Sequence, residues 1–545
     1  MNYNYSRRRT STAKAGKTAI GGDFPIRVQT MLNVSTLDTE GCVAQALTVA
    51  EAGSELIRLT TQGVREADNM GVIRERLREA GCDIPLVADV HFNPAAAKAA
   101  AGSCEKVRIN PGNFVDAART FRKLEFTDEE YAEEIGRIRK ALVPFLELCR
   151  SNSVCIRLGV NHGSLSDRIM SRYGDTPAGM VESVMEYLRI CREENFDNIV
   201  ISVKASNTTV MVATVRLLVK EMEREGMAFP LHLGVTEAGD GEDGRVKSAV
   251  GIGTLLLDGI GDTIRVSLSE QPECELPVAR ALRDFICDPR REVEVNQPWA
   301  LEPATASPAD SLISMEESAG VKAQGPAVAG LDFDIIHRDW HHVDAGNPPE
   351  LFTDSLPVVM TSMHPNRTGE IRQWIDTFVA MGGRNPVIVS LFYPTDSVET
   401  LQVQAGAEFG SLLLDGYISG MEILAPLLDR ETIGRVALTI LQATRRRITR
   451  TEYIACPGCG RTLFDLQATL AQVKAATSHL KGLKIGVMGC IVNGPGEMAD
   501  ADYGYVGAGP GRVSIYKGKE CVEKNIPAEE ALPRLLALIG ADEGK

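Results

Sequence analysis

The chain has 545 residues and a mass of 59.0 kDa, and one hydrophobic core stops growing at about 250–300 residues, so two or three domains are expected. With 44% apolar and 24% charged residues it has the composition of a soluble globular protein, which excludes a disordered, collagen-like or coiled-coil chain. The net charge of −15 argues against general binding to nucleic acid or membrane surfaces. No apolar run approaches a membrane span and no secretory signal opens the chain, so we expect a cytoplasmic protein.

Short β-branched runs alternate with helical stretches in the first half, and this alternation predicts an α/β fold with a parallel sheet. The runs are residues 25–31, 55–60, 85–92, 106–112, 154–161, 198–206, 231–239 and 262–268. Eight βα units within about 265 residues predict a TIM (β/α)8 barrel. An open doubly wound sheet is the alternative, but it usually has a glycine-rich first turn, and none follows Met31.

Polar side chains gather at the predicted carboxyl ends of these strands, where TIM barrels carry their active sites. Five of them are cations, namely Arg58, Arg108, Arg157, Lys204 and Arg265. A buried arginine without a partner is costly, so five that converge in an acidic chain indicate a strongly anionic ligand such as a diphosphate. Asp89, Asn161, His232, Glu237 and Ser267 lie at the same ends, as do His91, Asn110 and Asn113. For any one arginine taken alone, a structural ion pair within the barrel is an equally good explanation.

Three cysteines near the C-terminus stand apart from the other nine, because Cys456, Cys459 and Cys490 form a C-x2-C-x30-C pattern that Glu497 follows. Thiolates suit zinc or iron-sulfur clusters. A structural zinc site is the alternative, although it usually has four Cys or His ligands, and His479 stands far from either cysteine turn. A carboxylate on a soft iron should exchange more readily than a thiolate, which would leave one iron open to a substrate oxygen.

These residues belong to longer motifs that closely resemble one family. ACPGCGRT and GCIVNGPGE near the C-terminus, with VADVHF, RINPGN, RLGVNHGSL, SVKAS, LGVTEAG and GIGDTIRVSL in the first half, resemble the 4-hydroxy-3-methylbut-2-enyl diphosphate synthases of the methylerythritol phosphate pathway. The resemblance covers residues 24–287 and 448–545. No radical-SAM cysteine triplet and no dinucleotide fingerprint competes with it.

The resemblance implies a reductive ring opening, in which 2-C-methyl-D-erythritol 2,4-cyclodiphosphate loses its C3 hydroxyl and becomes the linear allylic diphosphate. A 4Fe-4S cluster would be held by Cys456, Cys459, Cys490 and Glu497, and flavodoxin or ferredoxin would donate the electrons. Asn493 would contact the reacting hydroxyl, and Glu237 would act as an acid or electrostatic partner. The remaining family positions would bind the substrate: Arg58, Asp89, Arg108, Arg157, Asn161, Lys204, His232, Arg265 and Ser267.

The two matched segments and the stretch between them predict three domains: a barrel at 1–287, an α/β insertion at 288–447, with a degenerate barrel-like form as one option, and an α+β cluster domain at 448–545. Compact family members lack the insertion. It opens with a linker-like stretch at 296–329, and strands are expected at 331–336, 356–362 and 386–392.

The insertion carries an echo of the barrel, because residues 410–416 (GSLLLDG) match residues 253–259 (GTLLLDG) at six of seven positions. The echo is either chance or the trace of a duplicated half-barrel. The copy is predicted to have lost its following strand, and we interpret the insertion as a noncatalytic, barrel-related spacer. We predict that it lets the cluster domain reach the barrel of its own chain, with a homodimer that shares sites between chains as the alternative.

Two other functions compete with the reductase. A non-redox barrel enzyme acting on a phosphorylated or pterin-like anion, with a structural metal, would explain the arginines. An iron-sulfur carrier would explain the cysteines but gives no reason for the ring of cations.

Overall fold

The computed structural model describes residues 3–116, 125–295, 340–491, 494–498 and 500–543, together with the backbone of 328–329. The chain has two compact units. The first comprises Met1–Arg8, Glu242–Ile260 and Arg280–Thr449, and the second comprises Arg9–Gly241, Gly261–Ala279 and Arg450–Lys545. No helix in the described part of the chain is long and apolar enough to cross a membrane.

The second unit opens with a β-hairpin that the sequence analysis missed, formed by β1 (Thr12–Ala15) and β2 (Thr18–Gly21). Its apolar side chains, with Ile20 fully buried, pack against Leu56, Val87, Cys155 and Val200, which lie near the starts of barrel strands. The hairpin therefore covers the end of the barrel opposite to the carboxyl ends of the strands. Burial of this apolar surface stabilises the closed end.

All eight predicted strands are present and run parallel. They are β3 (Arg27–Met31), β4 (Leu56–Thr61), β5 (Leu86–Val90), β6 (Lys106–Ile109), β7 (Cys155–Asn161), β8 (Ile199–Lys204), β9 (His232–Leu233) and β10 (Thr263–Ile264). The sheet order is β8-β7-β6-β5-β4-β3-β10-β9, and a bridge between Ile201 and Leu231 joins its two ends. The ring is closed, so the TIM barrel prediction is confirmed and the open doubly wound sheet is wrong.

Helices follow the strands of this unit: α1 (Thr39–Glu51), α2 (Val64–Glu79), α3 (Pro94–Ser103), α4 (Asp128–Ser151), α5 (Asp167–Tyr173), α6 (Pro177–Glu193) and α7 (Thr208–Arg224). Side-chain caps determine where several of them begin. Asp38, Asn93 and Asn207 accept hydrogen bonds from amides of the first turns of α1, α3 and α7, and Thr127 forms a capping box with Glu130 at α4.

The first unit combines helices α8 (Gly241–Leu257) and α9 (Glu275–Ile286, in part) with a parallel five-stranded sheet. Its strands are β11 (Val328–Ala329), β12 (His341–Asp344), β13 (Val358–Thr361), β14 (Val387–Phe392) and β15 (Gly420–Leu424), in the order β11-β15-β14-β13-β12. Its helices are α10 (Arg367–Ala380), α11 (Val398–Leu414) and α12 (Arg430–Ala443). Trp374, Phe378 and Phe409 are fully buried in its core.

Two of the three strands expected in the insertion are present, as β13 and β14. The third, at 331–336, lies outside the described residues, and so does the predicted linker at 296–329 except for Val328–Ala329, which form β11 instead of linker. The prediction that the GSLLLDG copy has lost its following strand is wrong, because β15 follows it and pairs in parallel with β14. Buried Met421 and Ile423 alternate with the less buried Glu422 and Leu424, a pattern that suits a strand without the polar residues of the barrel copy.

The two copies of the echo lie on helices that pack together. A methyl group on Gly253 of α8 would lie 2.6 Å from the Cβ of Ala407, and one on Gly406 of α11 would lie 2.9 Å from the Cβ of Ala249. Arg372 pairs with the aspartates that end both copies, Asp415 at 2.9 Å and Asp258 at 3.5 Å. The small residues therefore allow close helix contact, and a duplicated half-barrel stays a prediction.

The chain ends with a mixed five-stranded sheet, β16 (Glu452–Ala455), β17 (Lys484–Met488), β18 (Tyr503–Gly509), β19 (Arg512–Lys517) and β20 (Glu520–Pro527), in sequence order. Its helices are α13 (Leu466–Thr477), α14 (Gly494–Glu497) and α15 (Ala528–Glu543). The first three strands are parallel and the last three antiparallel. The predicted α+β C-terminal domain is confirmed, and it belongs to the same compact unit as the barrel.

Candidate functional site

A cavity with about 710 Å³ of empty space lies between the carboxyl ends of the barrel strands and the C-terminal domain of the same chain. The cavity is lined by most of the residues predicted for the site: Arg58, Asp89, Arg108, Arg157, Asn161, Lys204, Glu237, Arg265, Ser267, Cys456, Cys459 and Cys490. Segments that are up to about 430 residues apart in sequence thus meet at one place.

Three predicted residues are not among those that line the cavity. His232 is buried in the barrel on β9, with its Nδ1 3.4 Å from Thr263 Oγ1 of β10. Asn493 lies outside the described residues, and so does the side chain of Glu497, whose backbone belongs to α14. Of the further candidates, His91 lines the cavity, whereas Asn110 supports the adjoining loop by accepting from the amide of Gly112.

The cavity has more buried positive than negative charge. Among the described residues at the cavity, the cations are Arg58, Arg108, Arg157, Lys204, Arg265 and Arg461, and the carboxylates are Asp89, Glu237 and Glu275, which pairs with Arg265. The cations exceed the carboxylates by three. Because an uncompensated buried charge is costly, this excess favours binding of an anion with several negative charges.

Unpartnered donors indicate the same kind of ligand. The Nε–H groups of Arg108, Arg157 and Arg461 are buried and have no hydrogen-bond partner among the described residues. A buried donor without an acceptor costs about 1–3 kcal/mol, so oxygens of a ligand or of ordered water would be stabilised here.

Asp89 is the carboxylate that holds these arginines in place. Its Oδ1 lies 3.1 Å from Arg108 Nη1 and 4.0 Å from both Arg58 and Arg157, and its Oδ2 lies 3.1 Å from Arg461 Nη2. The Asp89 side chain is 1% exposed. Burial opposes its ionisation, yet Arg58 and Arg108 hold the pKa of Asp89 well below its usual range, so it stays ionised.

The positive charges in the cavity repel one another, and this repulsion lowers the pKa values of basic groups among them. Burial, then Arg157, Arg58 and Arg265, lower the pKa of Lys204 well below its usual range. Burial and then Arg108, whose Nη1 contacts the ring nitrogen Nε2, lower the pKa of His91 to about 3, so this ring is neutral. An anion in the cavity would reverse this repulsion and stabilise the protonated form of Lys204.

Cys456 is attached to the barrel by backbone contacts. Ala455, at the end of β16, forms a parallel bridge with Ala238, and Ser269 Oγ donates to the carbonyl oxygen of Cys456 at 2.8 Å. The bridge places Glu237 beside Cys456. Burial, then the Glu237 charge, raises the pKa of the Cys456 thiol.

Glu237 has an unusual backbone conformation. Its φ is +49°, in the left-handed region, and its side chain is 3% exposed. A non-glycine residue in this region costs about 1–2 kcal/mol and is more frequent at functional sites than elsewhere. The surrounding contacts, above all the bridge of the next residue to Ala455, hold the carboxylate at the cavity.

The three cysteines share one wall of the cavity, and the amide of Gly489 donates to Cys456 Sγ at 3.3 Å. Burial would raise the pKa of Cys459, but hydrogen bonds and the charge of Arg461 lower it. Among the described residues, no three His, Cys, Asp or Glu side chains meet closely enough to hold a single metal ion. A 4Fe-4S cluster binds each thiolate on a different iron, so its ligands need to share a wall rather than one point.

Two charged residues of the site are not among those predicted from the sequence. Arg461 stands two positions after Cys459 in the motif ACPGCGRT, and this spacing was the available signal. Glu275, whose carboxylate accepts from Arg265 at 2.8 and 3.1 Å, begins α9 and had no signal in the strand pattern.

Comparison with known proteins connects both halves of the site with one family. The model of the GcpE TIM-barrel domain matches residues 10–280, and that of the GcpE protein C-terminal domain matches residues 452–541. Three curated relatives bear the name 4-hydroxy-3-methylbut-2-en-1-yl diphosphate synthase (flavodoxin). The relative from Parabacteroides distasonis is 52% identical over 98% of both chains.

The relative from Porphyromonas gingivalis is 48% identical over 98% of both chains, and that from Protochlamydia amoebophila is 39% identical over 98% of this chain and 96% of its own. Among solved structures, dihydropteroate synthase from Xanthomonas albilineans aligns with a TM-score of 0.33 and 16% identity, over 50% of this chain and 98% of its own. That likeness is too low to support any argument.

Gly163 should control how the C-terminal domain lies on the barrel. Its φ is +78°, and an added methyl group would overlap the carbonyl group of Gly496. We expect Gly163→Ala to accelerate amide hydrogen exchange at residues 455–462 by at least about tenfold, because the overlap can be relieved only by separating the two backbones. Gly226→Ala is the control, since its φ is +70° with open space around the Cβ position. Equal exchange in both variants would contradict the prediction.

Because the cavity has more cations than carboxylates, Lys204→Met should stabilise the ligand-free protein but weaken its stabilisation by an anion. Lys204→Met should raise the thermal midpoint of the ligand-free protein by about 2 °C or more, because it removes a buried cation from a repulsive cluster. The same change should reduce the stabilisation that inorganic pyrophosphate gives to the native protein. Thermal unfolding with and without pyrophosphate measures both, with the exposed Lys98→Met as the control. A ligand-free protein that is destabilised would show that Lys204 is a paired structural cation.

Proposed function

Because the chain belongs to the GcpE family, we propose that it catalyses the reductive ring opening and dehydroxylation of 2-C-methyl-D-erythritol 2,4-cyclodiphosphate to 4-hydroxy-3-methylbut-2-enyl diphosphate. The observation that carries the proposal is one cavity in which an excess of buried cations faces three cysteines. A diphosphate needs the first feature, and a two-electron reduction needs a redox centre that amino-acid side chains do not supply. The name of the curated relatives gives the same product.

The reaction takes up two electrons and one proton. The ester bond between the ring oxygen and carbon breaks, which leaves the diphosphate on the other end of the molecule, the C3 hydroxyl leaves as water, and a carbon-carbon double bond forms. The cyclic dianion becomes an open-chain trianion, so negative charge grows during turnover. A cavity with three more cations than carboxylates among its described residues stabilises this change.

The cations of the cavity have different roles in the proposed binding of the diphosphate. Arg108 and Arg157 offer unpartnered Nε–H groups, and Lys204 gains a stabilised charge when a phosphate approaches. Asn161 and Ser267 line the same cavity and add neutral hydrogen-bonding groups. Asp89 does not favour an anion, so its part in the proposed substrate site is to orient Arg58, Arg108 and Arg157.

We assign the cluster ligands to Cys456, Cys459 and Cys490, with Glu497 as the fourth. Thiol donors on one cavity wall, one of them accepting an amide hydrogen bond, fit a 4Fe-4S cluster. A cluster bound there would pass two electrons from the donor to the substrate, one at a time, and would offer a coordination position for the substrate hydroxyl. Asn493, from the NGPGE motif, is assigned to that hydroxyl on the basis of the family motif alone.

Glu237 holds the proton for the departing hydroxyl in this proposal. Its carboxyl group lies beside Cys456, at the border between the thiols and the cations. A carboxylic acid in reach of the leaving oxygen delivers the proton without bulk water.

Flavodoxin is the proposed electron donor, as the name of the relatives states for them, and the cytoplasm is the proposed location. An open cleft between the barrel residues Ser269 and Gln271 and the C-terminal domain is also lined by Gly458, Cys459 and Thr462, which line the cavity too. A thin wall of the cysteine loop therefore separates the cleft from the cavity, which gives electrons a short path.

The proposal predicts an iron-sulfur EPR signal that responds to substrate. The protein is reconstituted without oxygen, reduced with dithionite and measured with and without the cyclic diphosphate. We expect a 4Fe-4S signal whose g values change on addition of substrate, because the hydroxyl binds next to the thiolates. Cys490→Ser should lose the signal, whereas Cys521→Ser, at an exposed cysteine outside the cavity, should keep it.

Each alternative has its own outcome in this experiment. An EPR signal that does not change when the cyclic diphosphate is added favours an iron-sulfur carrier. An iron content near zero, with zinc present, favours a non-redox barrel enzyme with a structural metal. Formation of the allylic diphosphate with reduced flavodoxin as donor completes the test.

Glu237→Gln should lower turnover by at least about 100-fold while the cluster signal and its response to substrate persist. The amide keeps the size of the side chain but has no acidic proton. Turnover is followed as product formed per reconstituted cluster, and Glu40→Gln on the surface is the control. Full activity of Glu237→Gln would remove Glu237 as the proton donor.

A further inference from the structure

Arg461 is the described cation of the cavity that comes from the C-terminal domain, whereas the other five come from the barrel. Its Nη2 donates to Asp89 Oδ2 of the barrel at 3.1 Å. Arg461 and Cys459 line the same cavity, and although burial raises the pKa of the Cys459 thiol, the Arg461 charge lowers it. The Arg461 side chain is 6% exposed. One buried guanidinium therefore connects a candidate cluster ligand with the carboxylate that orients the substrate arginines.

Geometry explains why an arginine suits this position. A planar guanidinium with several N–H groups can donate in two directions at once, whereas an ammonium group is a compact point charge. Hydrogen bonds between charged groups are stronger than those between neutral groups. The loop around Arg461 lies directly on the barrel, since a methyl group on Gly460 would meet the carbonyl oxygen of Val34 at 2.8 Å. The loop has little room to take another position while Arg461 is bound to Asp89.

We propose that Arg461 is a positioning residue that fixes the Cys456–Thr462 loop on the barrel through Asp89 and sets the reduction potential of the cluster through Cys459. The proposal rests on the cluster ligands assigned above. A positive charge beside a thiolate ligand stabilises the reduced, more negative cluster, so it makes reduction easier. The negative charge of Asp89 makes the cluster harder to reduce. Its hydrogen bond with Arg461, however, helps to hold the loop on the barrel.

The two partners can therefore be separated by experiment. We expect Arg461→Gln to shift the midpoint potential of the cluster to more negative values, and Asp89→Asn to shift it to more positive values. Both variants should accelerate amide hydrogen exchange at residues 455–462 by at least about tenfold, because each removes the same charged hydrogen bond. In the double variant the potential should return towards that of the native protein, and exchange should be no faster than in either single variant.

The measurements use the full-length, reconstituted protein without substrate, by EPR-monitored redox titration and by hydrogen exchange with mass spectrometry. Because no substrate is present, a negative result in these measurements would not contradict the proposed reaction. The proposed reaction is tested by the substrate-dependent EPR signal. Arg534→Gln is the matched control, because Arg534 is an exposed arginine of the same domain that pairs with Glu523 and Glu530. It should change neither quantity.

Arg461→Lys keeps the charge with a different shape, so it should restore much of the potential but little of the exchange protection. If Arg461→Gln fails to fold or to take up a cluster, Arg461→Lys and Asp89→Asn still test both halves of the proposal. A midpoint potential that does not move in Asp89→Asn and the folded Arg461 variants overturns the proposal, whatever the exchange rates do. Unchanged exchange in those variants overturns it as well.

Discussion

The arrangement of the site depends on one electrostatic constraint, the excess of buried positive charge at the carboxyl ends of the barrel strands. Three arginines of the barrel converge on Asp89, and Lys204 and Arg265 complete the ring. Desolvation makes this cluster unfavourable without a ligand, as the lowered pKa of Lys204 indicates. We therefore expect an anion that binds here to relieve this repulsion, and the ligand-free protein to be less stable because of it.

The second requirement is that the cysteines meet this charge. Backbone contacts bring them there, with Ala455 bridged to Ala238 and the backbones of Gly163 and Gly496 in close approach. Small residues and main-chain bonds can hold two surfaces at shorter distances than side chains allow. The barrel and the C-terminal domain that meet in this way belong to the same chain and the same compact unit.

Much of the fold and of the candidate site could be predicted, and the exceptions have physical causes. Each barrel strand is a short local run, so its position could be found without knowing its neighbours. The N-terminal hairpin was missed because its short strands have little pattern of their own and are stabilised by apolar contacts with the barrel. The sequence predicts no strand at β15, because the residues after GSLLLDG differ from those of the barrel copy. The strand forms all the same, since it pairs in parallel with β14.

The sequence by itself determined the barrel, the C-terminal domain and the chemical types of the residues at the site, because strand periodicity, cysteine spacing and family motifs are local properties of the chain. Only the tertiary structure decided which charges are paired. It shows that Asp89 serves four arginines, that Glu275 neutralises Arg265, that His232 lies below the cavity and that Arg461 joins the two domains. These pairings connect residues that are up to hundreds of positions apart, and their geometry follows from packing of the whole unit, which local sequence patterns do not encode.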